Sequence, residues 1–340
     1  MKTLGIFIAT PGRKSLWRTL HSIAYQRVAV EDVLVVGDGY HAPTAELVRV
    51  AAEALCIPAR YVATTKTRDF GHSQQNYALK HVRGDFLIYQ DDDDIFLPRS
   101  LSEALKLMSA MDQPHPLVGR VKTPNHGLLW QTLGTDAVLD GHCIVVPNDK
   151  KRLGWFAIDY SGDQGYIHTC MSAYKECAWT DRIWTLSRPH WKLWPDWATE
   201  GNTTWACDLR RDNEGLPGEV VAAVLLEVDD THDIWHATID TRLPCTYMEY
   251  QEIAEFIMYA AQSKDIRLRC QPEEALLRQA LENCNYKEHI VTEKFIEYSH
   301  DWPPDFWAPF GRFNSLMDQH GNVIPDWRDP YWGSRRQKDE

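Results

Sequence analysis

No C-x-x-C pair occurs among the eight cysteines, Cys56, Cys143, Cys170, Cys177, Cys207, Cys245, Cys270 and Cys284. That excludes a zinc knuckle and, in a chain of 340 residues, a disulfide framework. They read as reduced thiols, and the expected location is cytoplasmic. No apolar run approaches the length of a membrane span. The opening MKTLGIFIATPGR is too short in its apolar part for a secretory signal and reads as a first strand. There is no G-x-G-x-x-G after that strand and no G-x-x-x-x-G-K-[ST] anywhere, which excludes a dinucleotide fold and a P-loop. Internal repeats and low-complexity tracts are missing too. So is any excess of basic residues. Residues 1–170 hold 18 Lys and Arg against 18 Asp and Glu, and residues 171–340 hold 18 against 30, which gives the net charge of −12. Nothing here signals nucleic-acid binding.

What is present is enough apolar residue, 44%, to bury a proper core. The chain is organised around Gly84–Pro98, GDFLIYQDDDDIFLP. Phe86 to Tyr89 fits a buried strand of a parallel sheet. Asp91, Asp92, Asp93 and Asp94 follow at once, and Pro98 opens an amphipathic helix at about Arg99 to Met108. Four adjacent carboxylates repel one another, and a solvated acidic loop is the plain alternative. Their place at the end of a buried strand favours a hard divalent cation, Mn²⁺ or Mg²⁺, with oxygen ligands.

In order, Leu4–Ala9, Val33–Val36, Arg60–Ala63 and the Phe86 stretch read as strands. Helices fall after Ser15, which can cap the first, over Thr44–Leu55 and over Gly71–His81. This alternation predicts an α/β fold with a doubly wound, mostly parallel sheet. After Pro114 the pattern loosens. Val118–Val121 and Cys143–Val146 look like strands, and WFAIDYSGDQGY leads through Ser161-Gly162-Asp163 into a helix. Six tryptophans crowd Trp179–Trp205, with Trp155 upstream. Glycines near 200–218 mark a boundary between a catalytic unit, 1–205, and a mixed α+β extension, 206–340. Acceptor binding and oligomerisation are the two roles open to that extension. Val220–Val228 and Ile234–Ile239 suit a hairpin, and helices are expected near Glu249–Ala261 and Pro272–Cys284.

The first 190 residues resemble the family-2 glycosyltransferases of the GT-A fold. The motifs come in the family's order: IFIATPGR for the first strand, SLWRTLHSIAYQ for its helix with Ser-Ile-x-x-Gln, EDVLVVGDG for the second strand, GHSQQNYAL for a helix carrying Asn, and GDFLIYQDDDDIFLP for the metal motif. The chain departs from the family at Gly37, where an Asp usually sits, at Tyr40, where a Ser is common, and at Gln75, where an Arg often precedes the Asn. The resemblance implies a metal-dependent transfer of a sugar from a nucleoside-diphosphate donor, UDP-sugar by default, to an acceptor hydroxyl with inversion. It places the donor among Thr10, Pro11, Arg13, Asp38, Gln75, Asn76, Asp91 and Asp92. The metal falls to Asp91 and Asp93, with Asp94 close behind and His190 as a further ligand. Alternate residues of an extended segment share a side, which puts Asp91 and Asp93 together, and the resemblance makes Asp93, the last of the pair, the favoured direct ligand. The general base is Asp163, with Asp159 as runner-up.

Two other functions remain open on the residues. A nucleotidyltransferase would need a glycine-rich basic loop after the first strand, and Thr10-Pro11-Gly12-Arg13-Lys14 is a poor version of one. A non-catalytic sugar- or partner-binding module on the same scaffold would not need the intact aspartates. The tryptophans serve either a core or stacking against sugar rings. The donor sugar, the acceptor and the oligomeric state, including a homo-oligomer, are left open.

Overall fold

The structure is a computed structural model. It describes residues 1–187 apart from 27, 68, 70, 124–126, 129–138, 140 and 159–161; beyond 187 it describes chiefly the elements named below. The order begins β1 (Leu4–Thr10), α1 (Leu16–Ala24), β2 (Val30–Asp38), α2 (Ala42–Ala54), β3 (Ala59–Thr64), α3 (His72–His81) and β4 (Phe86–Asp91). Then come β5 (Ile95–Phe96), α4 (Ser100–Ala110), β6 (Leu117–Thr123), β7 (Gly127–Leu128), β8 (Ile144–Pro147), α5 (Gly162–Tyr174) and β9 (Ala178–Leu186).

β3, β2, β1 and β4 lie side by side and all parallel. The chain steps one way from β1 to β3, then returns to place β4 on the other side of β1. This is the doubly wound α/β arrangement that the strand–helix alternation implies. Both faces of these strands are apolar because helices cover both. Ile6, Ile8, Val33, Val35, Phe86 and Ile88 pack on one side, and Phe7, Leu34, Val36, Leu87 and Tyr89 on the other. Beyond β4 the sheet turns mixed. β8 runs antiparallel between β4 and β6, and β6 then pairs in parallel with β9. At the far edge β17 (Leu316–Met317) joins β9 and pairs with β18 (Val323–Ile324).

A second sheet holds β10 (Leu193–Ala198), β11 (Thr204–Asn213), β12 (Leu216–Asp229), β13 (Ile234–Thr241), β14 (Asp265–Cys270), β15 (Lys287–Val291) and β16 (Ile296–His300). The helix Ala275–Asn283, here α6, falls between β14 and β15. The expected hairpin is there, with Val228 opposite Trp235. This sheet already includes Leu193–Ala198, upstream of residue 205.

Two local details differ from expectation. Ser15 stands at the start of α1 without a side-chain cap. The helix after Pro98 begins at Ser100, because Arg99 takes a left-handed φ of 66°. Trp179 and Trp184 on β9 are fully buried core residues. A Cβ at Gly119 would come within 2.4 Å of the Trp184 ring, so β6 needs a glycine there.

Candidate active site

In an open α/β sheet the ligand crevice lies at the carboxyl ends of the strands, where the strand order reverses. Here that point falls between β1 and β4. The registers set Ala9 beside Asp91, Thr10 beside Gly37 and Asp38 beside Thr64, so Thr10, Asp38 and Asp91 share one edge.

The four aspartates leave β4 in a turn. The Asp94 N–H donates back to the Asp91 carbonyl at 3.4 Å. A turn brings its first and fourth residues together, so Asp91 and Asp94 converge. An extended run would have aligned Asp91 with Asp93. Asp93 instead points to Arg13, whose Nη1 donates to Asp93 Oδ2 and to Asp92 Oδ1, each at 2.8 Å. Asp92 is 1% exposed and also accepts the Thr10 hydroxyl at 2.5 Å. Burial pushes the Asp92 carboxyl up to about 6, against the pull of Arg13 and of the Thr10 hydroxyl.

α1 holds this turn from below. Its apolar Leu16, Leu20 and Ile23 are buried, and so are its polar Thr19 and Ser22 and the following Gln26. The Thr19 hydroxyl donates to the Asp94 carbonyl at 2.7 Å, and Arg18 Nη2 donates to the Asp93 carbonyl at 3.3 Å. Ser22 Oγ accepts the Phe96 N–H at 3.1 Å. Gln26 Nε2 donates to the Leu97 carbonyl at 2.9 Å, and its Oε1 accepts the Leu101 N–H at 3.1 Å. These residues recur at helical spacing, so one face of α1 fixes the backbone from Asp91 to the start of α4.

His142 enters from a separate segment, the 3₁₀ turn Gly141–Cys143 ahead of β8. β8 pairs antiparallel with β4, Ile88 facing Val145 and Phe86 facing Pro147. Carried on by three residues, that register sets His142 opposite Asp91. Its Nε2 lies 3.2 Å from Asp91 Oδ2 and 3.3 Å from Asp94 Oδ2. Asp94 and His142 are 0% and 1% exposed, Asp91 26%. A fully buried carboxylate facing a second, half-buried one calls for a cation or a proton between them. Among the described residues this is the group of three whose ligand atoms, all within 4.8 Å of one another, could hold a metal ion. Two carboxylate oxygens and an imidazole nitrogen suit a divalent ion, and three protein ligands leave positions for other oxygens.

The floor is aromatic. Tyr89 stacks on His142, centroids 5.0 Å apart and planes 14° apart, and its hydroxyl donates to Asp91 Oδ1. Burial pushes that hydroxyl well above the usual phenol range; the Asp91 and Asp163 carboxylates add to this, and a side-chain bond from Gln75 opposes it. Asp163 lies in the first turn of α5. The positive end of the helix favours its ionised form. A Cβ at Gly141 would sit 2.8 Å from the Tyr89 ring and 3.1 Å from Asp163 Oδ1, so Gly141 lets the two meet beside His142. The loop ahead of α5 is tied to α3. Asn76 Nδ2 donates to the Phe156 carbonyl at 2.8 Å, and its Oδ1 accepts the Phe156 N–H at 3.0 Å. Trp155 and Ile158 on that loop are 52% and 62% exposed.

The structure thus brings Thr10, Arg13, Asp91, Asp92, Asp93, Asp94 and Asp163 around one strand edge. Asp38 lies farther along it, accepting the Thr67 N–H at 2.7 Å and Gln74 Nε2 at 3.0 Å. Pro11 is exposed, while Thr10, Gln75 and Asn76 are buried and bonded to protein groups. Asp159 and His190 lie outside the described residues. His142, Tyr89 and the polar face of α1 were not singled out from the sequence. A His directly ahead of the apolar run Cys143–Val146 was the available signal.

Among solved structures, S. aureus TarS is similar at 17% identity and a TM-score of 0.46, over 55% of this chain and 36% of that one. Its segment 1–349 in complex with UDP-GlcNAc aligns at 16% identity and a TM-score of 0.45, over 83% of this chain and 71% of that one. The mannosyltransferase PcManGT from Pyrobaculum calidifontis, in complex with GDP-Man and Mn²⁺, aligns at 19% identity and a TM-score of 0.44, over 55% of this chain and 57% of that one. This chain therefore spans about a third of full TarS. No curated protein sequence matches it. No helix among the described residues is long and apolar enough to cross a membrane. Residues 6–135 match the profile of glycosyl transferase family 2. They carry the sheet edge and aspartate turn described above, and this part of the chain belongs to that family.

Proposed function

We propose that the protein is a metal-dependent glycosyltransferase that moves a sugar from a nucleoside-diphosphate donor to an acceptor hydroxyl with inversion. The observation that carries this reading is the convergence of Asp91, Asp94 and His142 at the switch point of the sheet, beside Asp163. Asp91, Asp94 and His142 would hold the ion. The mixed oxygen and nitrogen set favours Mn²⁺ over Mg²⁺, which prefers oxygen and water. When bound, the ion offsets the negative charge that builds on the departing diphosphate. Asp93 lies one residue from Asp94 and is held on Arg13, within the same turn. Asp38, Pro11 and Arg13 line the donor edge, and a UDP-sugar is the first donor to test. Thr10 and Asn76 act behind it, one holding Asp92 and the other the Phe156 loop.

In the transfer, the acceptor oxygen forms a bond to the anomeric carbon as the bond to the diphosphate oxygen breaks. The electron pair leaves with the nucleoside diphosphate, and the acceptor proton passes to Asp163. Asp163 at the start of α5 is placed for that proton, with Asp159 in the preceding segment as the other candidate. Exposed Trp155 and Ile158 border the acceptor side.

The test is a calorimetric panel of nucleoside diphosphates and nucleotide-sugars on the full chain, with Mn²⁺ and with chelator, alongside product analysis. Mn²⁺-dependent binding that falls at least tenfold in Asp94→Asn and in His142→Ala is expected. Binding or turnover that is indifferent to the metal and to both variants overturns the reading.

A further inference from the structure

We infer that Tyr89 is the positioning residue of this site: its hydroxyl orients Asp91 and its ring orients His142. The inference rests on the metal reading above. Tyr89 and Asp91 are alternate residues of β4 and project to the same side of the sheet. The hydroxyl donates to Asp91 Oδ1, leaving Oδ2 turned toward His142 Nε2. The ring lies nearly parallel to the imidazole, 14° between planes. One side chain thus sets the direction of two of the three candidate ligands, from two different elements.

Packing alone does not call for a tyrosine here. Tyr89 is 3% exposed and sits in an aromatic layer with Phe7 at 5.4 Å and Phe156 at 5.7 Å between centroids. A phenylalanine fits such a layer as well. A hydroxyl taken out of water costs free energy unless it is bonded, and this one is bonded to Asp91 and to Gln75. Its place in the chain is accounted for by what it holds. Groups that orient metal ligands from behind commonly change metal affinity by about 10- to 100-fold when removed.

The experiment is Mn²⁺ titration of the full chain by electron paramagnetic resonance, without nucleotide, together with thermal melting. Tyr89→Phe keeps the ring on His142 and deletes the hydroxyl. It is expected to weaken Mn²⁺ by about tenfold with the melting midpoint little changed, and to keep the nitrogen coupling of His142 in the pulsed spectrum. Tyr89→Leu removes the ring as well and is expected to weaken or lose that coupling. Asp91→Asn serves as the ligand variant. If it weakens Mn²⁺ while Tyr89→Phe binds as the wild type does, the role given to Tyr89 is overturned and the metal reading stands. If neither the wild type nor any variant binds Mn²⁺, the metal reading falls and takes this inference with it. Should Tyr89→Phe fail to fold, Tyr89→Met, which deletes the hydroxyl on Asp91 and the ring on His142 together, is read in its place. Affinity within about twofold of wild type then overturns the inference.

Discussion

Gln26→Met tests how firmly α1 holds the aspartate turn. Methionine has nearly the length and volume of glutamine, so the change removes hydrogen bonds without opening a cavity. Gln26 is 3% exposed, and its amide bridges two segments: Nε2 to the Leu97 carbonyl and Oε1 to the Leu101 N–H. The Leu97 carbonyl keeps other partners, since the Ser100 N–H and hydroxyl donate to it at 3.2 and 2.7 Å. The Leu101 N–H does not share that protection. It lies in the first turn of α4, where helix donors lack intrahelical acceptors, and Gln26 supplies its described acceptor. One buried donor left without an acceptor costs about 1–3 kcal/mol. For a domain of this size that is a fall in melting midpoint of about 3–10 °C.

The same variant reports on the site. Losing the Gln26 bridge frees Leu97 and Leu101 from α1, while Thr19 and Ser22 still hold Asp94 and Phe96. Stability should therefore fall more than metal affinity. Thr19→Val, which deletes the hydroxyl on the Asp94 carbonyl itself, should reverse that order. Thermal melting and Mn²⁺ titration on both variants measure it. A Gln26→Met midpoint within about 1 °C of wild type would refute the reasoning, because it would mean that the Leu101 N–H finds an equal partner elsewhere.

Asp163→Asn keeps size and position but cannot take a proton, so transfer should fall by about 10²-fold or more with donor affinity unchanged; near-wild-type transfer, or loss only in Asp159→Asn, would reassign the base. Gly37→Ala would put a Cβ 2.1 Å from the Tyr61 hydroxyl oxygen. It should cost about 1–3 kcal/mol by overpacking, and Tyr61→Phe in the same chain should recover part of it; no recovery in denaturant melts would place the clash elsewhere. Asn76→Leu strands both the Phe156 N–H and its carbonyl. It should lower stability by about 2–4 kcal/mol and make the 154–158 loop more sensitive to limited proteolysis, and unchanged cleavage would contradict the tie.

The sheet was legible because a parallel sheet covered on both faces writes itself as short apolar runs, and Leu4–Ala9, Val33–Val36 and Phe86–Tyr89 are such runs. The aspartates were legible as a ligand site for the same reason: charge placed at the end of a buried strand needs a partner. Which carboxylates meet was not legible. Extended alternation and a turn both fit the string Asp91–Asp94, and they choose different partners for Asp91. The turn is selected by contacts that no local rule contains, Thr19 on the Asp94 carbonyl and Arg13 on Asp92 and Asp93. α1 shows how half of such a contact can be read. Its apolar Leu16, Leu20 and Ile23 mark one buried face, while Thr19, Ser22 and Gln26 recur at the spacing of a second face. A helix with two buried faces, one polar, must be hydrogen-bonding something rich in backbone groups, and a tight turn of carboxylates with its exposed amides and carbonyls is such a partner. His142 needed the remaining step. Its place beside Asp91 follows only from the antiparallel register of β8 on β4, and the sequence between the two strands says nothing about the direction in which the second one runs.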